Sequence, residues 1–172
     1  MIHNKFIVRE QEVTATWISG NNLEKFKPYT QVYGVCFTKK GKVLIIQSKN
    51  NNWMIPGGTP EKNETPAETL AREIDEEASV EIEASQIIGA QKIYFPNNTN
   101  KKEGERFYQI RSVAIIRKIK PLTADPCTGK IWKRKFINPE EFNNLVQWGD
   151  VGKEIFQLAF KHFRKWQETG TL

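Results

Sequence analysis

Between residues 65 and 78 the sequence specifies a helix more strongly than anywhere else in the chain. Thr65 and Glu68 form a Thr-x-x-Glu capping box, and Pro66 occupies the first helical position, where proline is favoured. At about 100° per residue, five apolar side chains fall on one stripe. We expect this stripe to face the core, and its members are Ala67, Leu70, Ala71, Ile74 and Ala78. The pattern predicts a helix that begins after Thr65 and ends near Ala78.

The polar side of this helix carries an acidic cluster that is locally unfavourable. Residues 72–77 read REIDEE, so four of six side chains are acidic. Glu73 precedes Glu76 and Glu77 by three and four residues, and each such like-charge pair costs about 0.2–0.5 kcal/mol. The helix dipole also disfavours anions in its last turns. A divalent cation would remove both penalties, because Mg²⁺ prefers carboxylate oxygens. The helix alone leaves a solvated acidic face open as the alternative.

The charge distribution supports a cation site inside a basic protein. The 172-residue chain has a formal net charge of +6. Residues 61–83 hold nine of its 20 acidic and two of its 26 basic residues, which leaves 11 acidic and 24 basic residues elsewhere. A basic body suits anionic partners such as nucleotides or nucleic acid, although solubility alone also explains it. The acidic cluster would then lie where polyanions are attracted.

The remaining segments alternate between strand and helix patterns. Apolar alternation predicts six strands, over 12–19, 31–37, 42–48, 90–95, 107–119 and 130–137. The sequence TKKG between the second and third of them predicts a hairpin turn, and helices are expected over 138–145 and 150–166. This interleaving predicts an α/β fold around a mixed sheet. The length suits a single domain over 1–172, with residues 1–30 as an N-terminal strand and loop extension.

Several classes of protein are disfavoured by the composition. No run approaches 18 apolar residues, so we expect no membrane span and no membrane partner. The first residues lack the apolar core of a secretion signal. Cys36 and Cys127 form neither a disulfide framework nor a zinc pattern, which fits a reducing compartment. These features together predict a cytoplasmic location.

Residues 58–80, GTPEKNETPAETLAREIDEEASV, resemble the signature of the Nudix hydrolases. Eight fixed positions of that signature are matched, by Gly58, Glu64, Arg72, Glu73, Ile74, Glu76, Glu77 and Val80. Ser79 stands where the family has Gly. The preceding WMIPGG also looks like the usual lead-in. The resemblance implies the Nudix fold, a mixed β-sheet sandwiched between α-helices.

The resemblance also implies an activity and roles for the matched residues. The reaction would be a metal-dependent attack of water on the pyrophosphate linkage of a nucleoside diphosphate joined to another group, as in a nucleoside triphosphate, ADP-ribose or a nucleotide sugar. Glu73, Glu76 and Glu77 would be catalytic and would hold Mg²⁺, or Mn²⁺ in its place. Arg72 is grouped with the catalytic residues, and Glu64 would brace the site. Gly57 and Gly58 would let the backbone approach the substrate.

Ser79 is expected to weaken the end of the helix rather than the chemistry. The family's Gly adopts a left-handed cap there, and another residue pays about 1 kcal/mol for that conformation. The general base is left open between a box glutamate and an acid of a later loop, where Glu103 and Glu105 are candidates. The phosphate contacts are open in the same way, with Arg106, Lys49 and Arg111 as candidates.

The substrate is less closely defined than the reaction. Trp17, Tyr33, Tyr94 and Tyr108 either stack on a base or pack within the sheet. Pro96 lies one residue out of register with a proline typical of ADP-ribose-type members. The expected partner is a small nucleotide. RNA is an alternative that no recognition motif supports, and a homodimer is left open.

Three functional hypotheses remain at this point. The first is an active hydrolase of nucleotides or nucleotide sugars. The second is a non-catalytic Nudix-like module that binds nucleotide or RNA. The third is an RNA-end pyrophosphohydrolase, for which the basic surplus outside residues 61–83 would hold the backbone.

Overall fold

A computed structural model describes residues 2–8, 11–47, 51–96 and 105–172 of the chain. These residues form nine strands: β1 His3–Val8, β2 Gln11–Ser19, β3 Tyr29–Thr38, β4 Val43–Gln47, β5 Trp53–Met54, β6 Gly57–Gly58, β7 Val80–Phe95, β8 Glu105–Ile119 and β9 Arg134–Ile137. They also form three α-helices, α1 Pro66–Ala78, α2 Phe142–Val146 and α3 Gly149–Thr169. No helix in the described ranges combines the length and apolar character needed to cross a membrane.

The strands form one mixed sheet. Its order is β1-β2-β7-β8-β3-β4-β5, with β6 paired to β3 and β9 paired to β4. The β3–β8 pair is parallel, and the other pairs are antiparallel. The β3–β4 hairpin is confirmed, and Gly41 in its turn has a φ of 83°. The strands predicted over 31–37 and 42–48 are therefore neighbours in the sheet.

The core is divided between the two faces of the sheet. Alternate residues of β3 and β8 face α1 and form one cluster with Leu70, Ile74 and Ala78. The intervening residues, among them Val35, Phe37, Val113 and Ile115, pack against α2 and α3. The sheet lies between helices, which confirms the predicted α/β fold.

The helix α1 has the predicted bounds, and Leu70, Ile74 and Ala78 are buried as predicted, but the rest of its buried face differs. Ala67 and Ala71, predicted to face the core, are exposed, so that part of the prediction is wrong. Thr69 and Glu77 are buried instead, beside Leu70 and Ile74. Polar contacts explain the rotation, because the Thr69 hydroxyl donates to Glu64 (3.0 Å) and the Glu77 carboxylate accepts from a backbone amide. The helix therefore turns its acidic side partly inward.

Other differences from the predicted elements have local causes. The strand predicted over 90–95 begins at Val80. The first half of β7 lacks a regular alternation of apolar and polar residues, because three register shifts interrupt its pairing with β8. The strand β1 was not predicted, and it pairs with β2 at the edge of the sheet. The strand predicted over 130–137 is confined to Arg134–Ile137.

Candidate active site

The start of α1 is fixed by the predicted capping box. The Thr65 hydroxyl accepts a hydrogen bond from the Glu68 amide (3.3 Å), and the Glu68 carboxylate accepts one from the Thr65 amide (2.8 Å). Both bonds satisfy donors that a helix start leaves unpaired. This local geometry directs the helix so that Glu73 and Glu77 lie against the Gly57–Gly58 turn.

Arg72 joins the loop before the helix to the acidic side of the helix. Its guanidinium donates two hydrogen bonds to the Glu64 carboxylate, at 2.8 and 3.0 Å. The same group donates to Glu73 and to Glu76, each at 3.1 Å, and to the carbonyl of Thr59 at 3.0 Å. The hydrogen bond from Arg72, together with those from the Glu61 amide and the Thr69 hydroxyl, lowers the pKa of Glu64 to about 2. Arg72 thus links the loop that contains Glu64 to the acidic side of α1.

Glu77 and Glu73 are carboxylates with reduced access to water. Glu77 is only 8% exposed, and its Oε2 accepts a hydrogen bond of 3.0 Å from the Gly57 amide. Burial raises the pKa of Glu77 to about 8, with smaller contributions in the same direction from Glu73 and Asp125. Burial also raises the pKa of Glu73, although Arg72 opposes it. Water thus stabilises the ionised forms of these two carboxyl groups poorly.

The two glycines of the turn make close contact possible. A Cβ atom on Gly58 would lie 2.3 Å from Oε1 of Glu73. A Cβ atom on Gly57, whose φ is 141°, would lie 2.2 Å from the carbonyl oxygen of Val32. Gly57 is therefore required by the backbone of the sheet, and Gly58 is required by the position of the Glu73 side chain.

Ser79 ends the helix in the left-handed conformation, with φ 50° and ψ 50°, as the sequence predicted. Its hydroxyl accepts a hydrogen bond from the Thr123 amide (3.1 Å) and lies 3.2 Å from the Thr123 hydroxyl. The serine side chain thereby attaches the end of α1 to the chain that follows β8. These bonds offset part of the cost of the left-handed backbone.

Arg134 on β9 was missed by the sequence reasoning. Its guanidinium donates to the carbonyls of Ala78, Ser79 (3.2 Å) and Lys120 (2.6 Å). The last turn of α1 has no basic residue of its own. Arg134 therefore supplies the positive charge that favours the carboxyl end of a helix. It is separated from that end by more than 50 residues, so no local pattern could have indicated the contact.

Asp125 was also missed. Its side chain is 6% exposed and accepts hydrogen bonds from the Cys127 amide (2.9 Å), the Thr128 amide (2.8 Å) and the Trp132 indole (3.2 Å). Burial opposes ionisation of Asp125, but these bonds lower its pKa overall. Its charge raises the pKa values of Glu73 and Glu77, so it belongs to the same electrostatic environment.

The other candidates are distributed differently. Glu103, Lys49 and the side chain of Glu105 lie outside the described residues. Arg106 is exposed and stacks over Tyr94, with 5.4 Å from its guanidinium carbon to the ring centroid. Arg111 is buried against the ring of Tyr33.

Two of the aromatic candidates pack within the protein. Trp17 is 6% exposed and belongs to the core beneath α3. Tyr108 packs against Phe26, with 5.9 Å between the ring centroids. Tyr33 differs from both, because its ring lies beside the Gly57 turn. Its hydroxyl interacts electrostatically with Glu73 and Glu77.

The acidic side chains fit a hard divalent cation chemically. In the described part of the chain, no three carboxylate, imidazole or thiol groups are already gathered around one point. Glu73 and Glu76 turn to Arg72, and Glu77 turns to Gly57. However, burial disfavours the ionised forms of Glu73 and Glu77, and a divalent cation beside them would stabilise those ionised forms. The donor set is therefore suited to Mg²⁺.

The comparison with protein families identifies the class. Residues 27–158 match the NUDIX domain, and the chain belongs to the Nudix family. A MutT-like protein of Streptomyces ambofaciens is 37% identical over 62 residues, which are 36% of this chain and 40% of that protein. This match thus spans less than half of the length of the relative. Family membership confirms the resemblance read from residues 58–80.

Solved structures with low sequence identity share the fold. The Bacillus subtilis pyrophosphohydrolase BsRppH is 16% identical with a TM-score of 0.66, over 92% of this chain and 96% of that one. A NUDIX hydrolase from Nitrosomonas europaea is 16% identical with a TM-score of 0.59, over 78% and 90% of the two chains. A C. elegans Ap4A hydrolase is 16% identical with a TM-score of 0.51, over 81% and 98%.

Proposed function

We propose that this protein is a Mg²⁺-dependent pyrophosphohydrolase that cleaves the phosphoanhydride linkage of a nucleoside diphosphate joined to another group. The observation that carries the proposal is the placement of Glu73 and Glu77 against the Gly57–Gly58 turn, with Arg72 linking Glu73 and Glu76 to Glu64. Membership of the Nudix family supports it, as does a fold shared with a protein named a pyrophosphohydrolase.

The proposed cofactor is Mg²⁺, or Mn²⁺ in its place, held by Glu73, Glu76 and Glu77. When bound, such a cation supplies positive charge to the phosphate oxygens and lowers the pKa of a water molecule. Arg72 keeps Glu73 and Glu76 on the same side of α1 through its two 3.1 Å bonds. The Gly57 amide orients Glu77.

The residues around the carboxylates would orient the substrate. Backbone groups at Gly57 and Gly58 would approach it closely, since neither residue has a side chain to block access. Arg106 stays a proposed phosphate contact. Glu103 and Glu105 stay proposed alternatives to a box glutamate as the general base.

We propose that residues 1–172 act as one domain, because the N-terminal strands join the main sheet through the pairing of β2 with β7. Cys36 and Cys127 are both free thiols, which supports a cytoplasmic location. The proposed partner is a small nucleotide. A non-catalytic nucleotide- or RNA-binding module is the alternative, and the presence of all three box glutamates argues against it.

The first experiment compares two glutamates of α1. The purified chain is incubated with Mg²⁺ and a panel of nucleoside triphosphates, ADP-ribose, dinucleoside polyphosphates and triphosphorylated RNA. Glu76→Gln should lower kcat at least about 100-fold, because a lost metal ligand removes several kcal/mol of charge stabilisation. Glu68→Gln is the matched control, since Glu68 serves the capping box, and its activity should stay within about threefold of the wild type.

The alternative function has a distinct outcome in this assay. Tight nucleotide binding without metal-dependent product from any member of the panel would favour the non-catalytic module. Equal activity of Glu76→Gln and the wild type would exclude the proposed role of the acidic cluster.

A further inference from the structure

The sheet face that packs α3 carries a row of glutamine side chains beside the candidate site. In the register of the sheet, Gln91 on β7 lies opposite Gln109 on β8, and Gln109 lies opposite Gln31 on β3. All three side chains are half-buried. The next row along the same strands places Arg111 opposite Tyr33. Polar side chains are thus grouped where a sheet face normally packs apolar ones.

Arg111 is the unusual member of this group. It is 4% exposed, and none of the described acidic side chains forms an ion pair with it. Its guanidinium lies 4.7 Å from the ring centroid of Tyr33 and 5.6 Å from that of Trp148. Its Nε has no hydrogen-bond partner among the residues that the structure describes. A buried cation without a counter-ion is costly, and such a group requires an explanation.

The hydrogen bonds of Arg111 determine how the amide groups of the three glutamines are oriented. Arginine can only donate, so the amides turn their oxygens toward it. Its Nη2 donates to Oε1 of Gln91 and to Oε1 of Gln109 (2.9 Å). The Nε2 of Gln109 then donates to Oε1 of Gln31 (2.6 Å). Each of the three amide oxygens therefore already accepts a hydrogen bond within the row.

In the part of the chain that the structure describes, the amide nitrogens of Gln31 and Gln91 have N–H groups that are free to donate. Within the described residues, no acceptor is bonded to Nε2 of Gln31 or to Nε2 of Gln91. Both side chains are partly exposed, so a ligand can reach these N–H groups. The row thus presents N–H donors with a positive charge behind them. Such a surface complements a group that carries hydrogen-bond acceptors.

Tyr33 connects Arg111 to the Gly57 turn. Tyr33 pairs with Arg111 on one side and with Gly57 on the other, and the Gly57 amide binds Glu77. Neighbouring strands are about 4.8 Å apart, so the backbone of Arg111 lies about 10 Å from that of Gly57. A nucleotide with its phosphates at Gly57 and Gly58 would extend its base toward the glutamines.

We propose that Gln31, Gln91 and Gln109, oriented by Arg111, form a nucleobase subsite that selects a 6-oxopurine over a 6-aminopurine. This inference rests on the proposed function and names the class of substrate. Guanine and hypoxanthine present two adjacent acceptors, O6 and N7, on one edge. Adenine presents an amino donor beside N7, which would face the donors of the row. Arg111 is a positioning residue, because it acts through the amides.

The test measures base preference rather than activity alone. The ratio of kcat/KM for GTP to that for ATP, and for ITP to that for ATP, is determined with Mg²⁺. The wild type should favour both oxopurines by about 10-fold or more, since one good pair of hydrogen bonds is worth about 1–3 kcal/mol. In Arg111→Gln both ratios should fall to within about threefold of one, because the amides lose their orientation.

A matched variant separates this role from stability. Arg134→Gln also removes a partly buried arginine that donates to backbone carbonyls and packs near an aromatic ring, but on the α1 side of the sheet. It should lower the unfolding temperature and leave both ratios unchanged. If Arg111→Gln fails to fold, Gln91→Glu replaces it. That carboxylate would pair with Arg111 and present acceptors, so the preference should shift toward ATP.

The outcomes separate the two proposals. Equal turnover of GTP, ITP and ATP by the wild type would overturn the subsite, as would unchanged ratios in the Arg111→Gln and Gln91→Glu variants. Absence of turnover for every nucleotide would overturn the proposed function instead. The subsite would then be judged by titration with GDP and ADP, and equal binding of the two would reject it.

Discussion

Arg72 occupies the centre of the acidic side of α1 and determines how its neighbours are held. Its bonds to Glu64, Glu73 and Glu76 use both edges of the guanidinium. One arginine therefore neutralises part of a cluster that would otherwise repel itself. Glu77 lies apart from Arg72, bound to Gly57, and burial raises its pKa to about 8. A cation beside Glu77 would complete the charge balance that Arg72 begins.

A single methyl group at Gly58 should separate activity from stability. Gly58→Ala is compatible with the local backbone, because Gly58 does not have a positive φ. The added Cβ would lie 2.3 Å from the Glu73 carboxylate, so this flexible side chain must turn away. We expect kcat to fall about 10- to 100-fold, as displacement by about 1 Å does in active sites, with the unfolding temperature nearly unchanged.

The control for this prediction has the opposite pattern. Gly170 has a φ of 73° and open space around its Cα, so Gly170→Ala costs about 1 kcal/mol of stability through backbone strain and leaves kcat unchanged. Steady-state kinetics and thermal unfolding of both variants distinguish the two effects. Full activity of Gly58→Ala would show that the position of Glu73 does not matter for turnover.

At the scale of the helix, the carboxyl end of α1 depends on contacts from other elements. Ser79 adopts the left-handed conformation and bonds to Thr123, and Arg134 donates to the last carbonyls. We expect Ser79→Ala to lose about 1–3 kcal/mol, since it keeps the strained backbone and loses the hydroxyl bonds. Ser79→Gly also loses those bonds but relieves about 1 kcal/mol of strain, so it should be the more stable of the two.

Denaturant unfolding of both variants measures this difference. Their activities should remain within about threefold of the wild type, because neither change removes a proposed metal ligand. Equal stability of the two variants would mean that the left-handed backbone at Ser79 carries no cost. A large loss of activity in both would instead make the helix end part of the catalytic geometry.

The same helix shows which features could be predicted from sequence. Its start depends on Thr65, Pro66 and Glu68, which are adjacent in the chain, so a local pattern was sufficient. The apolar stripe placed Leu70, Ile74 and Ala78 correctly but Ala67 and Ala71 wrongly, because the buried face also depends on contacts of Thr69 and Glu77 with residues before the helix. Asp125 and Arg134 lie far from α1 in the sequence, after the two long strands β7 and β8. No spacing in the sequence connects them to the site.

At the scale of the whole molecule, β3 connects the two functional regions. Its residues facing α1 pack beneath the acidic helix, and its Tyr33 lies between the Gly57 turn and Arg111 on the other face. The fold therefore brings a negative site and a donor-rich surface to one central strand. These two regions carry charge of opposite sign, which suits a ligand with phosphates at one end and hydrogen-bond acceptors at the other. A cation would lie between the phosphates and the carboxylates of α1.

This arrangement predicts that Mg²⁺ stabilises the whole domain. An ion that binds the folded chain alone adds about 2.7 kcal/mol to the free energy of unfolding at 100 times its Kd. For a domain of this size, that gain corresponds to a rise of about 5–10 °C in Tm. Thermal unfolding is measured with MgCl₂ and with KCl at matched ionic strength. Glu76→Gln should lose most of the shift, and Glu68→Gln should retain it. An equal rise with KCl, or an undiminished rise in Glu76→Gln, would mean that the acidic side of α1 does not bind the ion.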